Sequence, residues 1–287
     1  MQTTPETQPN IFITGCSTGI GYCAAQGLRK RGYRVIASAR KAKDVLRLNN
    51  EGLECIQLDL DSPDSIEQAV AELSGRTGRR IYGLFNNAGY GQPGAIEDLG
   101  RDVLRAQFET NVLGTVDLTN RLLPWMRAAG EGRIIQNSSV LGFVSLAYRG
   151  AYNASKYALE GLYDTLRLEL AGSGIHAILI EPGPVTSRFR SNAFAAFRRH
   201  IDAEHSVHRH QYQAMIKRLQ KQGPAAPFTL PPESVLDKVV LALESRRPAP
   251  RYYVTFPTRL LGTLKRVLTS RALDRVLLRI SKNEQRP

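Results

Sequence analysis

The sequence predicts an α/β fold, in which a doubly wound parallel sheet of about seven strands carries helices on both faces. Short β-rich runs alternate with longer helical runs through the N-terminal two-thirds of the chain. Several of the β-rich runs are almost continuously apolar, which is typical of strands buried on both faces. A glycine-rich turn after the first run leads directly into a helix, as in a βαβ unit. We therefore expect one domain built around one sheet.

The individual elements follow from the same patterns. We predict strands at residues 10–15, 34–40, 53–60, 81–87, 133–139, 176–182 and 251–256. We predict helices at residues 19–31, 62–75, 100–129, 150–172 and 231–245. Beyond Thr258, apolar residues recur at helical spacing, and Ser270 is a candidate cap for a second helix in this tail.

Composition indicates an ordinary soluble globular protein, with 42% hydrophobic and 23% charged residues in a chain of 287. Residues 1–9 lack the basic and apolar regions of a secretory signal. No apolar run approaches the roughly 18 residues of a membrane-spanning helix. The three cysteines, Cys16, Cys23 and Cys55, show no metal-ligand spacing, so we interpret them as free thiols. These features predict a cytoplasmic protein.

The excess positive charge lies entirely toward the C-terminus. Residues 1–187 contain 19 basic and 19 acidic side chains, whereas residues 188–221 contain eight and two, and residues 246–287 contain eleven and two. Our first interpretation of the tail is a solvated amphipathic helix packed on the body. Peripheral contact of this basic tail with an anionic membrane is the alternative. Binding to nucleic acid is not expected, because no recognition motif accompanies the charge.

Four histidines, His200, His205, His208 and His210, fall within eleven residues. Such a cluster is compatible with a metal site. No cysteine or regular carboxylate spacing supports that reading, however, so we interpret the segment as flexible and basic and predict no metal.

The segment TGCSTGIG at residues 14–21 places Gly15, Gly19 and Gly21 between the first strand and the first helix. Glycines at such a junction allow a tight turn and a close approach of backbone N–H groups to a pyrophosphate. A tight turn without a ligand is the alternative. The position after the first strand of a doubly wound sheet favours nucleotide binding.

Further motifs follow in a characteristic order. They are NNAG (86–89), Asn111, Ser139, YNASK (152–156) and PGPVTS (182–187). With the glycine loop, this set resembles the short-chain dehydrogenase/reductase family over about residues 9–187, and more loosely beyond. The chain is most similar to the branch holding 17β-hydroxysteroid and retinol dehydrogenases, and within it to bacterial NADP-dependent aldehyde reductases.

The resemblance implies a single Rossmann-like domain with three parts. Residues 9–187 would form the cofactor-binding and catalytic core, residues 188–230 the helical lid over the substrate, and residues 231–287 a helix, the last strand and the basic helical tail. It also implies a homodimer or homotetramer.

The resemblance assigns catalysis to Asn111, Ser139, Tyr152 and Lys156. Tyr152 would exchange a proton with the substrate, Ser139 would hydrogen-bond the substrate oxygen, and Asn111 would bind a water that links Lys156 to solvent. An unperturbed tyrosine has a pKa of about 10. We expect Lys156, one helical turn away, to lower the pKa of Tyr152 together with the positive nicotinamide ring of the oxidised cofactor. Lys156 would also hold the nicotinamide ribose.

A nicotinamide cofactor is implied by the same resemblance, and we expect NADP(H) rather than NAD(H). A carboxylate at the end of the second strand would favour NAD, but this chain has Arg40 there, whose guanidinium suits a 2′-phosphate. Asp59 is a candidate partner of the adenine amino group, or a cap of the following turn. The expected cofactor-binding residues are Gly15, Ser17, Thr18, Gly19, Ile20, Gly21, Arg40, Asp59, Leu60, Asn87, Ala88, Gly89, Tyr152, Lys156, Pro182, Gly183, Val185 and Thr186.

The expected substrate is a lipophilic small molecule with a carbonyl or alcohol group. Ser139, Ser145 and Tyr152 would bind it, and Leu146 and Tyr148 would shape the pocket. Aromatic residues in the lid suit an apolar substrate, although they could equally dock the lid on the core; they are Phe189, Phe194 and Phe197. An aldehyde or ketone reductase is our main hypothesis. The alternatives are an NADP-linked hydroxysteroid or retinol dehydrogenase and a non-catalytic dinucleotide-sensing or membrane-bound protein.

Overall fold

The protein forms one domain around a seven-stranded parallel sheet, which confirms the predicted fold class. The computed structural model describes residues 8–224 and 226–284. The strands are β1 (Asn10–Ile13), β2 (Arg34–Ala39), β3 (Glu54–Gln57), β4 (Gly83–Asn86), β5 (Gly132–Asn137), β6 (Ile175–Glu181) and β7 (Arg251–Tyr253). Their spatial order is β3-β2-β1-β4-β5-β6-β7.

The helices connect these strands and form the C-terminal region. They are α1 (Gly19–Lys30), α2 (Ala42–Asn50), α3 (Pro63–Thr77), α4 (Arg101–Phe108), α5 (Gly114–Ala129), α6 (Gly150–Glu169), α7 (Phe189–His200), α8 (Arg209–Gln220), α9 (Glu233–Glu244), α10 (Phe256–Val267) and α11 (Ser270–Glu284). Most predicted boundaries agree within a few residues. Among the residues described, no helix is long and apolar enough to cross a membrane.

The core has two layers because successive strand residues point to opposite faces of the sheet. In β1, Ile11 and Ile13 pack in one layer with α1 and α9, whereas Phe12 packs in the other with α3, α5 and α6. All three side chains are fully buried. This double burial explains why the strands read as continuous apolar runs in the sequence.

The sheet places a crevice where the strand order reverses. From β1 the chain proceeds outward to β2 and β3, and β4 then begins the other half of the sheet on the far side of β1. The connections that follow β1 and β4 therefore run in opposite directions and leave a crevice between the carboxyl ends of these two strands. Doubly wound sheets bind their ligands at this point. The glycine loop follows β1 at this point.

The single helix predicted at residues 100–129 is interrupted. Between α4 and α5 lies one wider π-helical turn, Glu109–Leu113, with Asn111 at its centre and buried. Such turns insert an extra residue into a helix and often occur at functional sites. Hydrophobic periodicity did not reveal this turn, because the apolar pattern continues across it.

The lid segment forms two helices, α7 and α8, that dock on the body. Phe197 is buried and its ring packs edge-on against Tyr212, with centroids 5.1 Å apart. Tyr212 in turn accepts a hydrogen bond from the backbone N–H of Ala95 at 2.9 Å. Phe197 is therefore a docking residue, as the alternative interpretation of the lid aromatics stated.

The tail forms α10 and α11, but Ser270 does not cap the second helix as expected. α11 begins at Ser270 itself, and the preceding Thr269 accepts a hydrogen bond from the backbone N–H of Ala272 at 3.4 Å. Three apolar residues of α11, Val276, Leu277 and Ile280, pack on the body.

Candidate active site

The glycine loop has a conformation that only glycine accommodates without strain. Gly15 and Gly19 have φ angles of 72° and 62°. A Cβ atom on Gly21 would lie 2.4 Å from the carbonyl oxygen of Gly15. The three glycines predicted from sequence are thus each required by the backbone path.

The carboxyl end of β4 braces this loop. The side-chain amide of Asn87 donates to the carbonyl oxygens of Thr14 and Gly15, at 3.0 and 3.2 Å. The hydroxyl of Thr14 accepts from the backbone N–H groups of Asn87 and Ala88, at 3.0 and 2.9 Å. The Asn87 side chain therefore shapes the loop from behind. Thr14 was not among the residues predicted to form the site, although it immediately precedes the first glycine.

The N-terminus of α1 is suited to an anion. Thr18 occupies the cap position, but its side chain makes no capping hydrogen bond, and the first turn contains no acidic residue. The first backbone N–H groups of a helix have no partner within the helix and carry a partial positive charge. The loop and helix end fit a dinucleotide pyrophosphate. The backbone carbonyl oxygen of Ser17 accepts a hydrogen bond from the guanidinium of Arg47 at 2.6 Å, so it is directed away from the anion site.

The loop after β6, residues 182–187, closes over the glycine loop. A Cβ on Gly19 would lie 3.0 Å from the Cβ of Ser187. The N–H of Thr186 donates to Leu230 at 2.9 Å, and Leu230 donates to Pro184 at 3.1 Å. The carbonyl oxygen of Pro182 accepts from Val140 at 2.8 Å, which joins this loop to the end of β5.

Tyr152 and Lys156 lie on one face of α6, as their four-residue spacing predicts. The ammonium of Lys156 lies 5.7 Å from the centroid of the Tyr152 ring. It donates a hydrogen bond to the backbone carbonyl oxygen of Asn137 at 2.6 Å and is 5% exposed. The pair thus lies against the carboxyl end of β5.

The protein's own groups do not lower the pKa of Tyr152, and the joint effect of Lys156 and an oxidised cofactor stays a prediction. Burial raises the pKa of Tyr152 to about 12, and a hydrogen bond with Ser139 opposes this rise. Burial also lowers the pKa of Lys156 to about 8, while the Glu160 carboxylate acts in the opposite direction. Both shifts arise because a buried site disfavours the charged form of each group. Burial is therefore the largest influence on the pKa of both groups.

Ser139 lies beside Tyr152, where the resemblance placed it. It follows β5 by two residues, and its hydroxyl accepts from the backbone N–H of Leu141 at 3.1 Å. Because a hydroxyl can donate while it accepts, Ser139 can also donate its hydrogen to the Tyr152 oxygen, which is the direction that lowers the Tyr152 pKa.

Asn111 connects the π-helical turn to the segment after β4. Its side-chain amide donates to the carbonyl oxygen of Tyr90 at 2.9 Å, and its side-chain oxygen accepts from the N–H of Tyr90 at 3.1 Å. The same amide nitrogen approaches the hydroxyl of Ser155 at 3.1 Å. Gly89 packs here, because a Cβ on it would lie 3.1 Å from the Asn111 side-chain oxygen. Tyr90 and Ser155 were not identified from the sequence.

The residues assigned to the adenosine end lie at the carboxyl ends of β2 and β3. Arg40 follows β2 directly and its side chain is exposed. Asp59 accepts from the backbone N–H of Asp61 at 3.2 Å, so it makes the turn contact that was the alternative to an adenine contact. Leu60 is buried with its carbonyl oxygen packed against Gly114, and Ile20 packs on the core from α1.

Apolar groups surround the other side of Tyr152. The Phe189 ring lies 5.2 Å from the Tyr152 ring and is 39% exposed. Tyr152 also belongs to a hydrophobic cluster that includes Val144, Leu146 and α11 residues. Ser145 is exposed. Tyr148 has a φ of 62° and packs on His208 and Tyr212 rather than on Tyr152.

The histidine-rich segment makes specific contacts with the body. His200 Nδ1 lies 2.8 Å from the side-chain oxygen of Gln92, and His208 Nε2 lies 2.6 Å from a carboxylate oxygen of Glu97. His205 pairs with Asp202 at 2.8 Å. Across the described chain, no group of three metal-ligating side chains is found.

A partly buried cluster of charged residues was not predicted from the sequence. Arg251 of β7 donates to Glu181, Glu160 and Asp164 at 3.0, 3.0 and 2.7 Å. Glu181 is fully buried, and burial raises its pKa to about 8. The one available signal was Glu160, which lies one turn beyond Lys156 on α6. The cluster ties the last strand to the helix that carries Tyr152.

Comparisons with known proteins agree with this geometry. Residues 9–197 match the family described as short chain dehydrogenase. The chain is 44% identical over 270 residues to an uncharacterized oxidoreductase of Escherichia coli, YbbO, with 94% of each chain covered. It is 34% identical over 260 residues to human 17-beta-hydroxysteroid dehydrogenase type 1, covering 85% of this chain and 77% of that protein.

A solved actinorhodin polyketide ketoreductase, crystallised with NADPH, is 26% identical and superposes with a TM-score of 0.70 over 86% of this chain and 95% of that one. The fold, the order of the motifs and the sequence similarity all indicate the same family. The chain belongs to the short-chain dehydrogenase family and is an oxidoreductase that acts on an alcohol or carbonyl group.

Proposed function

We propose that this enzyme is an NADP(H)-dependent reductase of lipophilic aldehydes or ketones. The observation that carries the proposal is the meeting of Ser139, Tyr152 and Lys156 at the carboxyl end of β5. The loop of residues 182–187 adjoins this point and also covers the glycine loop. A hydrogen-bond donor, a proton donor and a dinucleotide cradle therefore share one crevice.

The bound cofactor would supply the hydride. The chain supplies orientation and the proton. The Ser139 hydroxyl holds the carbonyl oxygen, and the Tyr152 phenol donates its proton to that oxygen as negative charge develops. In the reverse direction Tyr152 accepts the proton of an alcohol. The positive ring of an oxidised cofactor would oppose the effect of burial on the Tyr152 pKa.

Lys156 and Asn111 have supporting roles. With its ammonium fixed by the Asn137 carbonyl, Lys156 would hold the cofactor ribose and return a proton to Tyr152. A lysine pKa near 8 favours exchange of protons close to neutral pH. Asn111 is a candidate to hold the water that connects Lys156 to solvent.

Arg40 supports NADP(H) over NAD(H). It is an exposed guanidinium directly after β2, where NAD-binding sheets of this type carry a carboxylate for the ribose hydroxyls. The backbone N–H groups at the start of α1 would receive the pyrophosphate. The solved ketoreductase, which was crystallised with NADPH, agrees with this preference.

The surroundings of Tyr152 support a lipophilic substrate. Phe189 on one side and the cluster with Val144 and Leu146 on the other would contact an apolar substrate. Ser145, which is exposed at the edge of this cluster, could contact a polar end. A hydroxysteroid or retinol dehydrogenase is the second candidate, favoured by the 34% identity to a hydroxysteroid dehydrogenase.

A substrate screen tests the proposal. Aldehydes and ketones of increasing chain length, steroids and retinoids are each offered with NADPH and NADH in parallel. We expect NADPH oxidation with apolar aldehydes or ketones, and a lower KM as the chain lengthens. Faster turnover of steroid or retinoid alcohols with NADP⁺ would favour the second candidate. No turnover with any member of the panel would refute both.

We further propose that the enzyme is a cytoplasmic homodimer or homotetramer whose basic C-terminal region contacts anionic membrane. The eleven basic and two acidic side chains of residues 246–287 support this contact. Light scattering of the purified protein measures the number of subunits.

A further inference from the structure

The outer face of α10 is apolar. Phe256, Leu260 and Val267 are 58%, 43% and 70% exposed. Their spacing of four and seven residues places them in one stripe along the helix. The opposite face packs on the body through Leu261 and Gly262. A helix that already buries one face therefore carries a second apolar face that is largely exposed.

Phe228 extends this stripe. Its ring lies 5.2 Å from the Phe256 ring and is 59% exposed. Phe228 has a φ of 58°, a conformation that a bulky residue rarely adopts. The turn thus holds an aromatic ring in the solvent-exposed position beside α10. We call Phe228, Phe256, Leu260 and Val267 the α10 stripe.

Basic side chains border the α10 stripe. Arg259 and Arg266 are exposed on α10, to one side of the stripe. The neighbouring α11 exposes three more cations at intervals of four residues, which are Arg271, Arg275 and Arg279. None of these five forms an ion pair with another residue in the described ranges 8–224 and 226–284. The two helices of the tail therefore expose five arginines, two of them on the helix that carries the stripe.

The α10 stripe adjoins the candidate active site. Leu230, two residues after Phe228, hydrogen-bonds Pro184 and Thr186. Thr255, which precedes Phe256, packs closely on Gly183. A Cβ atom on Gly183 would lie 2.2 Å from the hydroxyl oxygen of Thr255. The stripe thus sits directly outside the loop of residues 182–187.

We propose that the α10 stripe inserts into the surface of an anionic phospholipid bilayer while the surrounding arginines bind lipid phosphates. Apolar and aromatic residues bordered by arginine are the pattern of interfacial helices. A second copy of the chain fits less well, because a two-fold contact through this face would bring its arginines close to those of the partner. A lipid-dissolved substrate would then meet the enzyme beside its active-site loop.

Flotation with lipid vesicles tests the proposal without any turnover, so it stands apart from the proposed reaction. The probes are vesicles of phosphatidylcholine alone and of phosphatidylcholine with an equal amount of phosphatidylglycerol. We expect binding to the anionic vesicles, weakened by salt. The double variant Phe256→Ser/Leu260→Ser should weaken it about tenfold, because less apolar area enters the bilayer. Arg259→Gln/Arg266→Gln should weaken it on anionic vesicles only.

Matched controls change the same residue types elsewhere. Leu46→Ser/Val207→Ser removes two exposed apolar side chains, 65% and 80% exposed, and should leave vesicle binding unchanged. Arg101→Gln/Arg127→Gln lowers the net charge by the same amount as Arg259→Gln/Arg266→Gln and should likewise leave vesicle binding unchanged. Thermal melting checks that each variant is folded. The proposal is overturned if the wild type does not float, or if the control pairs weaken binding as much as the α10 variants. It is also overturned if the α10 variants leave flotation intact but dissociate an oligomer in light scattering, since a second copy would then cover the stripe.

Discussion

The ammonium of Lys156 donates a hydrogen bond to the backbone carbonyl oxygen of Asn137 at 2.6 Å. This contact joins α6 to the carboxyl end of β5 and sets the position of Tyr152 relative to Ser139. It also leaves a cation 95% removed from solvent, since Lys156 is 5% exposed. Its stabilising geometry is thus opposed by the loss of hydration.

Replacement of this lysine should change stability in a pH-dependent way. The pKa of Lys156 falls from 10.5 to about 8 in the folded protein, so between these values the unfolded chain binds more protons. Its burial therefore opposes folding most below pH 8, and this opposition disappears as the pH rises toward 10. Lys156→Met should raise the melting temperature relative to wild type at pH 7 and lose that advantage by pH 10.

The control for that series is Lys30→Met, at an exposed position in α1. Its effect on the melting temperature should not vary with pH over the same range. A constant difference between Lys156→Met and wild type from pH 7 to 10 would show that Lys156 is not held with a lowered pKa. Turnover of Lys156→Met should be lost at every pH.

Removal of the Ser139 hydroxyl should shift the pH profile of alcohol oxidation. The hydrogen bond with Ser139 lowers the pKa of Tyr152. In Ser139→Ala the pKa should rise, so the alkaline rise in kcat moves to higher pH, in addition to a loss of kcat of about 100-fold. Ser145→Ala, at an exposed serine, should leave the profile in place. An unmoved profile in Ser139→Ala would mean that Ser139 does not act on Tyr152.

Two glycine-to-alanine changes should have opposite effects. In Gly21→Ala the new Cβ would meet the Gly15 carbonyl 2.4 Å away, so the melting temperature should fall and NADPH affinity should drop at least about tenfold. Gly161, inside α6, has open space where a Cβ would lie. Gly161→Ala should stabilise the protein by roughly 1 kcal/mol. Thermal melting and fluorescence titration with NADPH measure both; an unimpaired Gly21→Ala would contradict the proposed cradle.

Reversal of charge at Arg40 should alter cofactor preference. Arg40→Asp removes a guanidinium and adds a carboxylate that repels a 2′-phosphate, so kcat/KM for NADPH should fall about 100-fold. The value for NADH should stay constant or rise. Arg101→Asp, at an exposed position on α4, is the charge-matched control. If both variants change NADPH and NADH kinetics equally, Arg40 does not select the phosphate.

Much of the fold and the candidate site could be predicted because the relevant signals are local. Apolar runs predicted strands within a few residues, since strands buried on both faces are mostly apolar. The spacing of Gly15, Gly19 and Gly21 predicted the turn, and the four-residue interval predicted that Tyr152 and Lys156 share a face. The resemblance then supplied Ser139 and Asn111, which spacing alone would not distinguish from ordinary polar residues.

The missed features depend on contacts between distant parts of the chain. The π-helical turn around Asn111 interrupts a helix whose apolar pattern is continuous. Arg251 of β7 donates hydrogen bonds to Glu181 of β6 and Glu160 of α6, so three different elements meet in this cluster. Apolar residues of the tail were visible at helical spacing, but the spacing did not reveal that Leu260 and Val267 face outward.

The amino-acid sequence by itself determined the α/β architecture, the glycine turn and the order in which the site residues occur, because these follow from local periodicity and backbone sterics. Tertiary structure decided the electrostatics of the site. Burial raises the pKa of Tyr152 and lowers that of Lys156, whereas spacing on the helix suggested mutual stabilisation of their charged forms. Only the packed protein determines how much water each group loses, and that loss is the largest cause of the pKa shift of both groups.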